Sequence, residues 1–373
     1  MIDAPQDAIG LICAYALALR DGPKISHVKF DHWLLEETDL AANAILDLVT
    51  VERKAELRSQ GRTKKFSVSG VYPRSKSVKN FIKAMGIIKH MAVKHEAPTK
   101  EELKRFRLFD ARNRHYRLNP DATAADYKDK QVEKFVDFTD KCLECINWGL
   151  TDQGKHSLGM YAGEILANAE DHAEFVDWSV VGYLDIGDKT PTCEIAIFNF
   201  GKSIAETFLD LDRSSPEWEK FGKYLDLHKS KGFFKDDWRE EDLLTVVALQ
   251  QHVSSKPKPG ASRGQGTVFF IEFFQEMYEQ CVARSDRKAQ MTVVSGSTYV
   301  LFDGTYRLAE REEGKGKVIA FNEENDLMLP PSSAHVRGMN GTHFPGTIIS
   351  VRFPFSVGYG AMVEELQDEK REN

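Results

Sequence analysis

The sequence lacks the features that direct a chain into or across a membrane. No apolar run approaches the roughly 18 residues that a membrane-spanning helix needs. The apolar stretch Ile9–Leu19 follows Asp3 and Asp7, at positions where a secretory signal carries Lys or Arg. We therefore expect a soluble, cytoplasmic protein without a membrane partner.

Cysteine is also scarce, with five residues in a chain of 373. Only Cys142 and Cys145 form a C-x-x-C pair, and no second C-x-x-C or C-x-x-H accompanies them. A structural zinc site needs four ligands, and the apolar spacing around this pair is helical. We interpret the two cysteines as helix residues in a reducing compartment and expect no zinc site.

An excess of basic charge is missing as well. The chain has 50 Lys and Arg against 57 Asp and Glu, which gives a formal net charge of −7. Binding to nucleic acid depends on a basic surface that meets the phosphates. Two local basic stretches, Arg53–Lys76 and Lys100–Arg117, are interpreted as solvated faces and loops. Nucleic acid is therefore not an expected partner.

The N-terminal third alternates between strand-like and helix-like patterns. Ile25–Phe30 and Phe66–Val71 have the period of strands, while Leu40–Leu57 and Val78–His90 have the period of helices. This order predicts a small α/β layer domain with parallel strands. A charge-rich segment then indicates a boundary near residue 125. We expect an N-terminal domain with its linker over 1–125, a second domain over 126–357 and a charged tail over 358–373.

The most informative segment is the helical stretch Tyr161–His172, which follows a long predicted helix over Lys128–Trp148. Glu164, Asn168 and Asp171 are spaced by four and then three residues, so they share one polar face of a helix. A carboxamide oxygen can ligate a hard cation, and a carboxylate one turn away can orient water. This face suits a site for magnesium and phosphate.

Three later segments place small residues at the ends of predicted strands or helices. Cys193–Phe198 reads as a strand, and after it come Asn199, Gly201 and Ser203, where small residues let backbone approach a flat ligand. A glycine-rich run precedes the apolar stretch Val268–Phe274, and glycine N–H groups at a helix start bind phosphate. Gly346–Pro354 reads as a further strand. The run before the apolar stretch consists of Arg263, Gly264, Gln265, Gly266 and Thr267.

In this order the segments resemble the GHKL superfamily of gyrase, heat-shock chaperones, histidine kinases and MutL. The helix is similar to the N box, Asn199–Ile204 to the G1 box, and Arg263–Thr267 to the G2 box. Thr347 matches the late-strand threonine beside the adenine. The resemblance covers about residues 128–357. It implies a Bergerat fold, an α/β sandwich in which helices back a mixed sheet.

The resemblance implies ATP and Mg²⁺ as ligands. It gives Glu164 the role of general base or water-orienting carboxylate and Asn168 that of Mg²⁺ ligand. Gly201 would line the adenine, and Glu206–Ser262 would form a lid over the nucleotide. The expected nucleotide-binding residues are Asn168, Asp171, Asn199, Gly201, Ser203, Arg263, Gly264, Gln265, Gly266, Thr267 and Thr347.

Two positions depart from the superfamily pattern. Asn199 stands where the G1 box carries Asp, and a neutral acceptor in place of a charged one lowers affinity around tenfold. Asn also offers both a donor and an acceptor, so the choice between ATP and GTP is open. Ser203 replaces the second glycine of the G1 box, which suggests a tighter turn.

The N-terminal third has a weaker resemblance to STAS domains, which partner GHKL kinases of the anti-sigma type. It is carried by Val28–Asp31, Glu36–Asp39, Phe66–Val71 and Phe81–Ile87. The loop in which STAS proteins carry a phosphorylated Ser or Thr would fall near Thr38. We interpret Thr38 instead as the N-cap of the following helix.

Three functions fit these patterns. The first is an Mg-dependent ATPase or ATP-gated switch, which would explain the carboxylate at Glu164. The second is a serine/threonine protein kinase of the anti-sigma type that acts on a STAS-like partner. The third is a non-catalytic interaction module in a regulatory or defence complex, with Asn199 marking a degenerate pocket. Besides the nucleotide, we expect a protein partner or a second copy of the chain.

Overall fold

The structure is a computed structural model of the chain. The residues that it describes are 1–21, 25–61, 66–86, 98–113, 124–145, 149–172, 178–188, 191–250, 266–282, 288–310 and 316–355. The predicted tail over 358–373 lies outside them.

A seven-stranded sheet forms the centre of the molecule. Its strands are β3 (Phe106–Arg112), β4 (Trp178–Asp185), β5 (Thr192–Phe200), β6 (Gln290–Gly296), β7 (Thr298–Phe302), β10 (Val336–Gly338) and β11 (Phe344–Pro354). The spatial order is β10-β7-β6-β11-β5-β4-β3. Every pairing in this sheet is antiparallel, so the prediction of a mixed sheet is wrong for the described strands. The α/β fold class is confirmed, and so are the two predicted strands that became β5 and β11.

Both faces of this sheet are covered, which explains the composition of its central strands. β4 is buried along its whole length. In β5, Ile195 and Ile197 enter one hydrophobic core, while Ala196 and Phe198 enter a second. This alternation is the two-residue period of a strand. Apolar residues therefore occupy both phases of the repeat, as expected for strands between two helical layers.

The helices on the first face supply the larger core. They are α5 (Ala124–Glu144), α6 (Asp152–His172), α7 (Ile204–Leu209), α8 (Pro216–Ser230), α9 (Glu240–Ala248) and α10 (Gly266–Val282). The predicted helix over Tyr161–His172 is confirmed as part of α6, and the one predicted over Lys128–Trp148 is confirmed as α5 up to Glu144. In α6 the buried residues Leu158, Ala162, Leu166 and Ala169 follow the helical repeat. This stripe sets the rotation of α6 and leaves its opposite side for polar residues.

The second face is covered by α1 (Pro5–Asp21), α2 (Leu40–Ser59) and α3 (Lys76–Met85). The ring of Phe81 on α3 meets that of Tyr183 on β4 edge-on, with 4.9 Å between centroids. α1 includes the apolar stretch noted in the sequence. No described helix is long and apolar enough to cross a membrane.

A β-α-β unit lies in the same N-terminal part. β1 (His27–Asp31) and β2 (Ser67–Val71) pair in parallel across α2, as predicted. The prediction that Thr38 caps α2 was wrong, because the N-cap is Asp39, whose carboxylate accepts from the Ala42 N–H at 2.9 Å. Asp presents a charged acceptor to the positive end of the helix.

The boundary that we predicted near residue 125 falls between two strands of one sheet. β3 follows the short helix α4 (Lys100–Arg105) and pairs with β4 along its full length. α2 packs on β4, β5 and β11. Residues before 125 thus contribute an edge strand and three covering helices to the layers around the main sheet. A further two-stranded pair, β8 (Ala309–Glu310) with β9 (Lys317–Val318), lies apart from that sheet.

The sheet consists of two halves that β11 joins. β3, β4 and β5 form one half, and β6, β7 and β10 form the other. β11 lies between β5 and β6 and pairs with both. The strand that comes last among those described is therefore near the middle of the sheet.

Candidate functional site

A row of polar side chains interrupts the first face of the sheet. Thr347 on β11 lies directly opposite Asn199 on β5 and, on its other side, opposite Ser295 on β6. Because side chains alternate along a strand, these residues share the face of Ile197, Ile349 and Val293. We call Asn199, Thr347 and Ser295 the polar row. It offers two hydroxyls and one carboxamide on an otherwise apolar surface.

Hydrogen bonds inside the row fix its inner end. The Ser295 and Thr347 hydroxyls are 2.8 Å apart, and the Ser295 hydroxyl also donates to the Gly346 carbonyl at 3.3 Å. Ser295 is fully buried, whereas Asn199 and Thr347 are half-buried. The outer two members are therefore the ones that a ligand can reach.

Two glycines allow the backbones beside the row to approach closely. Gly346 has φ +138°, and a Cβ there would overlap the Asn199 carbonyl oxygen and lie 2.9 Å from its carbonyl carbon. The register of β11 against β6 shifts between Phe344 and Thr347, which marks a bulge. Gly201 also has φ +138°, and its N–H donates to the Pro345 carbonyl at 3.1 Å. Gly201, which we predicted to line an adenine, thus has its backbone beside the start of β11.

We predicted that Ser203 contacts the nucleotide, but in the structure it lies buried at the start of α7. Its side chain is fully buried and caps α7 by accepting from the Glu206 N–H at 3.2 Å. The Glu206 carboxylate in return accepts from the Ser203 N–H at 2.6 Å, which completes a capping box. The next residue, Ile204, donates its N–H to Ser295 at 2.8 Å. The departure from glycine at 203 therefore has a structural reason, since serine starts α7 beside the polar row.

α6 carries the predicted catalytic and metal-binding positions. Glu164 is half-buried on this helix. Asn168 and Asp171 are also α6 positions, and their side chains lie outside the described part of the chain. Glu164 lies on the side of α6 opposite the buried stripe of Leu166 and Ala169. The polar face predicted from the sequence is thus formed by a real helix.

A hydrogen bond ties the end of α6 to the strand next to the polar row. The indole N–H of Trp178 donates to Glu170 at 2.9 Å, and Lys128 of α5 pairs with the same carboxylate at 2.9 Å. Trp178 is fully buried and lies opposite Asn199 in the pairing of β4 with β5. The helix with Glu164 is therefore held against the strand position that adjoins Asn199.

The remaining predicted residues are only partly described. Gly266 is the first residue of α10, as expected for a glycine at a helix start, and α10 packs on α6 and β11. Thr267 belongs to the first turn of the same helix, and its side chain is not described. Arg263, Gly264 and Gln265 lie outside the described residues.

Part of the segment predicted as a lid, Glu206–Ser262, belongs to the packed fold in the structure. Leu243 and Leu244 of α9 are buried in the main core. Asp242 is fully buried and accepts from the Thr298 hydroxyl at 2.7 Å, while Glu241 accepts from the Ser297 N–H at 2.8 Å. α9 is therefore bound to the β6–β7 turn as part of the fold. Residues 251–262 lie outside the described part of the chain.

Three further residues organise this site and were not among the predicted ones, namely Ser295, Trp178 and Glu170. Ser295 lies just before the turn between β6 and β7, which Gly296 with φ +59° and Ser297 form. The available signal was the break of the apolar alternation of Met291 and Val293 at Ser295. No comparable signal marked Trp178 or Glu170, because their hydrogen bond depends on the packing of α6 over β4.

The resemblance implies a magnesium ion that also binds phosphate. Among the described residues no three His, Cys, Asp or Glu side chains lie together as a metal cluster. Mg²⁺ commonly keeps several waters and takes one or two protein ligands together with substrate phosphates. Of the two residues expected to serve that ion, Glu164 is described and carries a carboxylate, whereas the side chain of Asn168 lies outside the described part of the chain.

The chain was compared with known protein families, curated proteins and solved structures. No family model, no curated protein and no solved structure matches the chain. The interpretation of the site therefore depends on the polar row, the two close glycines and the attachment of α6.

Proposed function

We propose that this protein binds ATP together with Mg²⁺ in the manner of the GHKL superfamily and acts as an ATPase or an ATP-gated switch. One observation carries the proposal. Asn199 and Thr347 are register neighbours on the sheet, and the Trp178–Glu170 hydrogen bond attaches the Glu164 helix at the adjoining strand position. Groups suited to a base and groups suited to phosphate therefore belong to adjoining elements.

The polar row is suited to the edge of a purine base. A carboxamide can donate and accept at once, and a hydroxyl can do either. The hydroxyl of Ser295 lies 2.8 Å from that of Thr347 and orients it. The groups left to bind the ligand are then the side chains of Asn199 and Thr347. The absence of a side chain at Gly346 lets β11 approach the backbone of Asn199 closely, and this approach holds Asn199 and Thr347 side by side.

The α6 face is suited to the reacting end of the nucleotide. Glu164 would orient a water molecule toward the terminal phosphate, and Asn168 would hold the metal through its carboxamide oxygen. A bound Mg²⁺ ion would neutralise phosphate charge. Gly266, the first residue of α10, would supply a backbone N–H group at a helix start.

The first test is calorimetric binding of Mg-ATP and Mg-GTP. We expect the wild type to bind one of the two, and Asn199→Ala and Thr347→Val to weaken binding about three- to tenfold each, since one neutral hydrogen bond is lost. Valine keeps the shape of threonine, and Ser295 keeps its bonds to Ile204 and Gly346. Asn340→Ala, at an exposed position away from the row, is the matched control and should bind like the wild type.

A second measurement separates the possible reactions. In an ATPase, Glu164→Gln should retain binding but lose phosphate release. Phosphate that appears on a protein instead of in solution would identify the protein kinase. Absence of binding at millimolar nucleotide, or equal binding by the Asn199, Thr347 and Asn340 variants, would contradict the proposed pocket and favour the non-catalytic module.

A further inference from the structure

A cavity lies on the face of the sheet opposite to the polar row. It has a volume of about 740 Å³ and is bounded by α3, by the segment before α2 and by the ends of β4, β5 and β11. Glu194 lines it from β5, in the opposite phase to Asn199 and five positions away, about 17 Å along the strand. The cavity is therefore separate from the proposed nucleotide pocket, and its size is that of a small-molecule site.

The described lining of this cavity is rich in carboxylates. The cationic residues of the described lining are Arg352 and Lys288, and Lys288 is exposed. The six carboxylates belong to Asp3, Glu36, Glu37, Asp185, Asp188 and Glu194. The lining thus carries more negative than positive groups.

Two arginines pair with carboxylates of the described lining. Arg105 binds both oxygens of Asp185 at 2.9 Å. Arg352 lies 3.1 Å from Asp3, 3.9 Å from Glu194 and 4.0 Å from Asp39, so one guanidinium serves three carboxylates, two of them in the lining. Glu36 and Glu37 are exposed at the rim. A cation that enters the cavity would meet carboxylates at its mouth and along its wall.

Tyr183 provides an independent sign of a missing ligand. Its side chain lines the cavity and is only 7% exposed, yet its hydroxyl has no hydrogen-bond partner among the described residues. A buried polar group without a partner is rare in proteins and is destabilising. Burial and the nearby carboxylates of Asp185, Asp188 and Glu194 raise the pKa of this phenol, so it stays a neutral O–H. The phenol oxygen is then an acceptor for an N–H donor.

We propose that this cavity binds a small aliphatic polyamine, with its ammonium groups on the carboxylates and one N–H on the Tyr183 hydroxyl. The wall also contains Val78 and Phe81, which would cover the methylene chain of such a molecule. A bare divalent cation fits less well, because no three carboxylates of the described residues lie together as a metal site. A polyamine carries ammonium groups spaced along an apolar chain, and the cavity wall carries carboxylates beside the apolar Val78 and Phe81.

Binding of spermidine, measured by calorimetry at fixed ionic strength, tests the proposal. We expect binding by the wild type and a loss of about three- to tenfold in Tyr183→Phe and in the double variant Glu36→Gln/Glu37→Gln. Tyr183→Phe should fold, since it keeps the ring against Phe81 and removes an unpaired hydroxyl. The matched control is Glu323→Gln, which removes an exposed carboxylate elsewhere and should bind like the wild type.

The outcomes are distinct. Loss of affinity in the cavity variants alone supports the site, and nucleotide binding need not change in any of them. An equal loss in Glu323→Gln would indicate attraction to overall charge and overturn the proposal. Absence of spermidine binding at millimolar concentration would overturn it too, as would displacement of spermidine by equimolar Mg²⁺. A lysine-containing peptide that binds where spermidine fails would reject the small polyamine in favour of a protein ligand.

Discussion

Replacing Gly346 with alanine should destabilise the protein more than a typical single substitution. The residue has φ +138°, a conformation that L side chains rarely adopt. An added Cβ would overlap the carbonyl oxygen of Asn199 and lie 3.0 Å from the Phe200 Cα, both on the neighbouring strand. Neither obstacle is the flexible end of a side chain, so β11 and β5 would have to separate.

The magnitude follows from two contributions. A strained backbone conformation costs about 1–3 kcal/mol, and forced overlap in a packed region costs about 1–3 kcal/mol. We expect Gly346→Ala to lower the free energy of unfolding by about 4 kcal/mol. Urea denaturation followed by tryptophan fluorescence measures this loss, and the buried Trp178 lies opposite Asn199, beside the affected strands.

Two other glycines provide matched controls. Gly341 has φ +71° with no atom within 4 Å of an added Cβ, so Gly341→Ala should cost only about 1–2 kcal/mol from its backbone conformation. Gly163 lies inside α6 with open space around it, so Gly163→Ala should stabilise by about 0.5–1 kcal/mol. If Gly346→Ala lost no more than Gly341→Ala, the close approach of the two strands would not be what requires glycine.

Two further predictions concern Glu194 and Ser203. Burial raises the pKa of Glu194 from 4.5 to about 7, so its contribution is fully present below pH 4.5 and is lost as the pH rises through 7. Between pH 4.5 and 8 the unfolding free energy of the wild type should fall, relative to Glu194→Gln, by on the order of 3 kcal/mol, and parallel pH curves from urea titrations would refute this. Ser203→Ala removes a buried helix cap and should cost about 1–2 kcal/mol in the same assay. The exposed Ser59→Ala should stay within about 0.5 kcal/mol of the wild type, and equal losses would contradict a capping role.

The elements predicted correctly are those with a strong period of their own. α5 and α6 show helical spacing over about six turns each, and β5 and β11 are long apolar strands. β4 escaped prediction because both of its faces are buried, so its sequence has no alternation to detect. α8 and α9 were missed because charged surface residues surround their buried positions, and the segment was interpreted as a lid.

The candidate site was predictable only one element at a time. The sequence indicated that Asn199 and Thr347 each follow or lie within a strand, but no local pattern states that β11 pairs with β5 at that register. Ser295 joins the polar row through the second pairing of the same strand, with β6. Such relations depend on contacts between residues more than 50 positions apart, which residue spacing does not encode.

The position of β11 has a consequence for how the chain is made. Ribosomes deliver a protein from its N-terminus, so β3–β5 and β6, β7 and β10 are all synthesised before β11. At about 5–20 residues per second, roughly 8–30 s separate the completion of β5 from that of β11. Throughout this interval the side of β5 that will pair with β11 is an open strand edge, and the corresponding side of β6 is open from the completion of β6 onward; such edges readily pair with other chains. The nascent protein is therefore most exposed to mispairing until the last of the described strands emerges and closes the sheet.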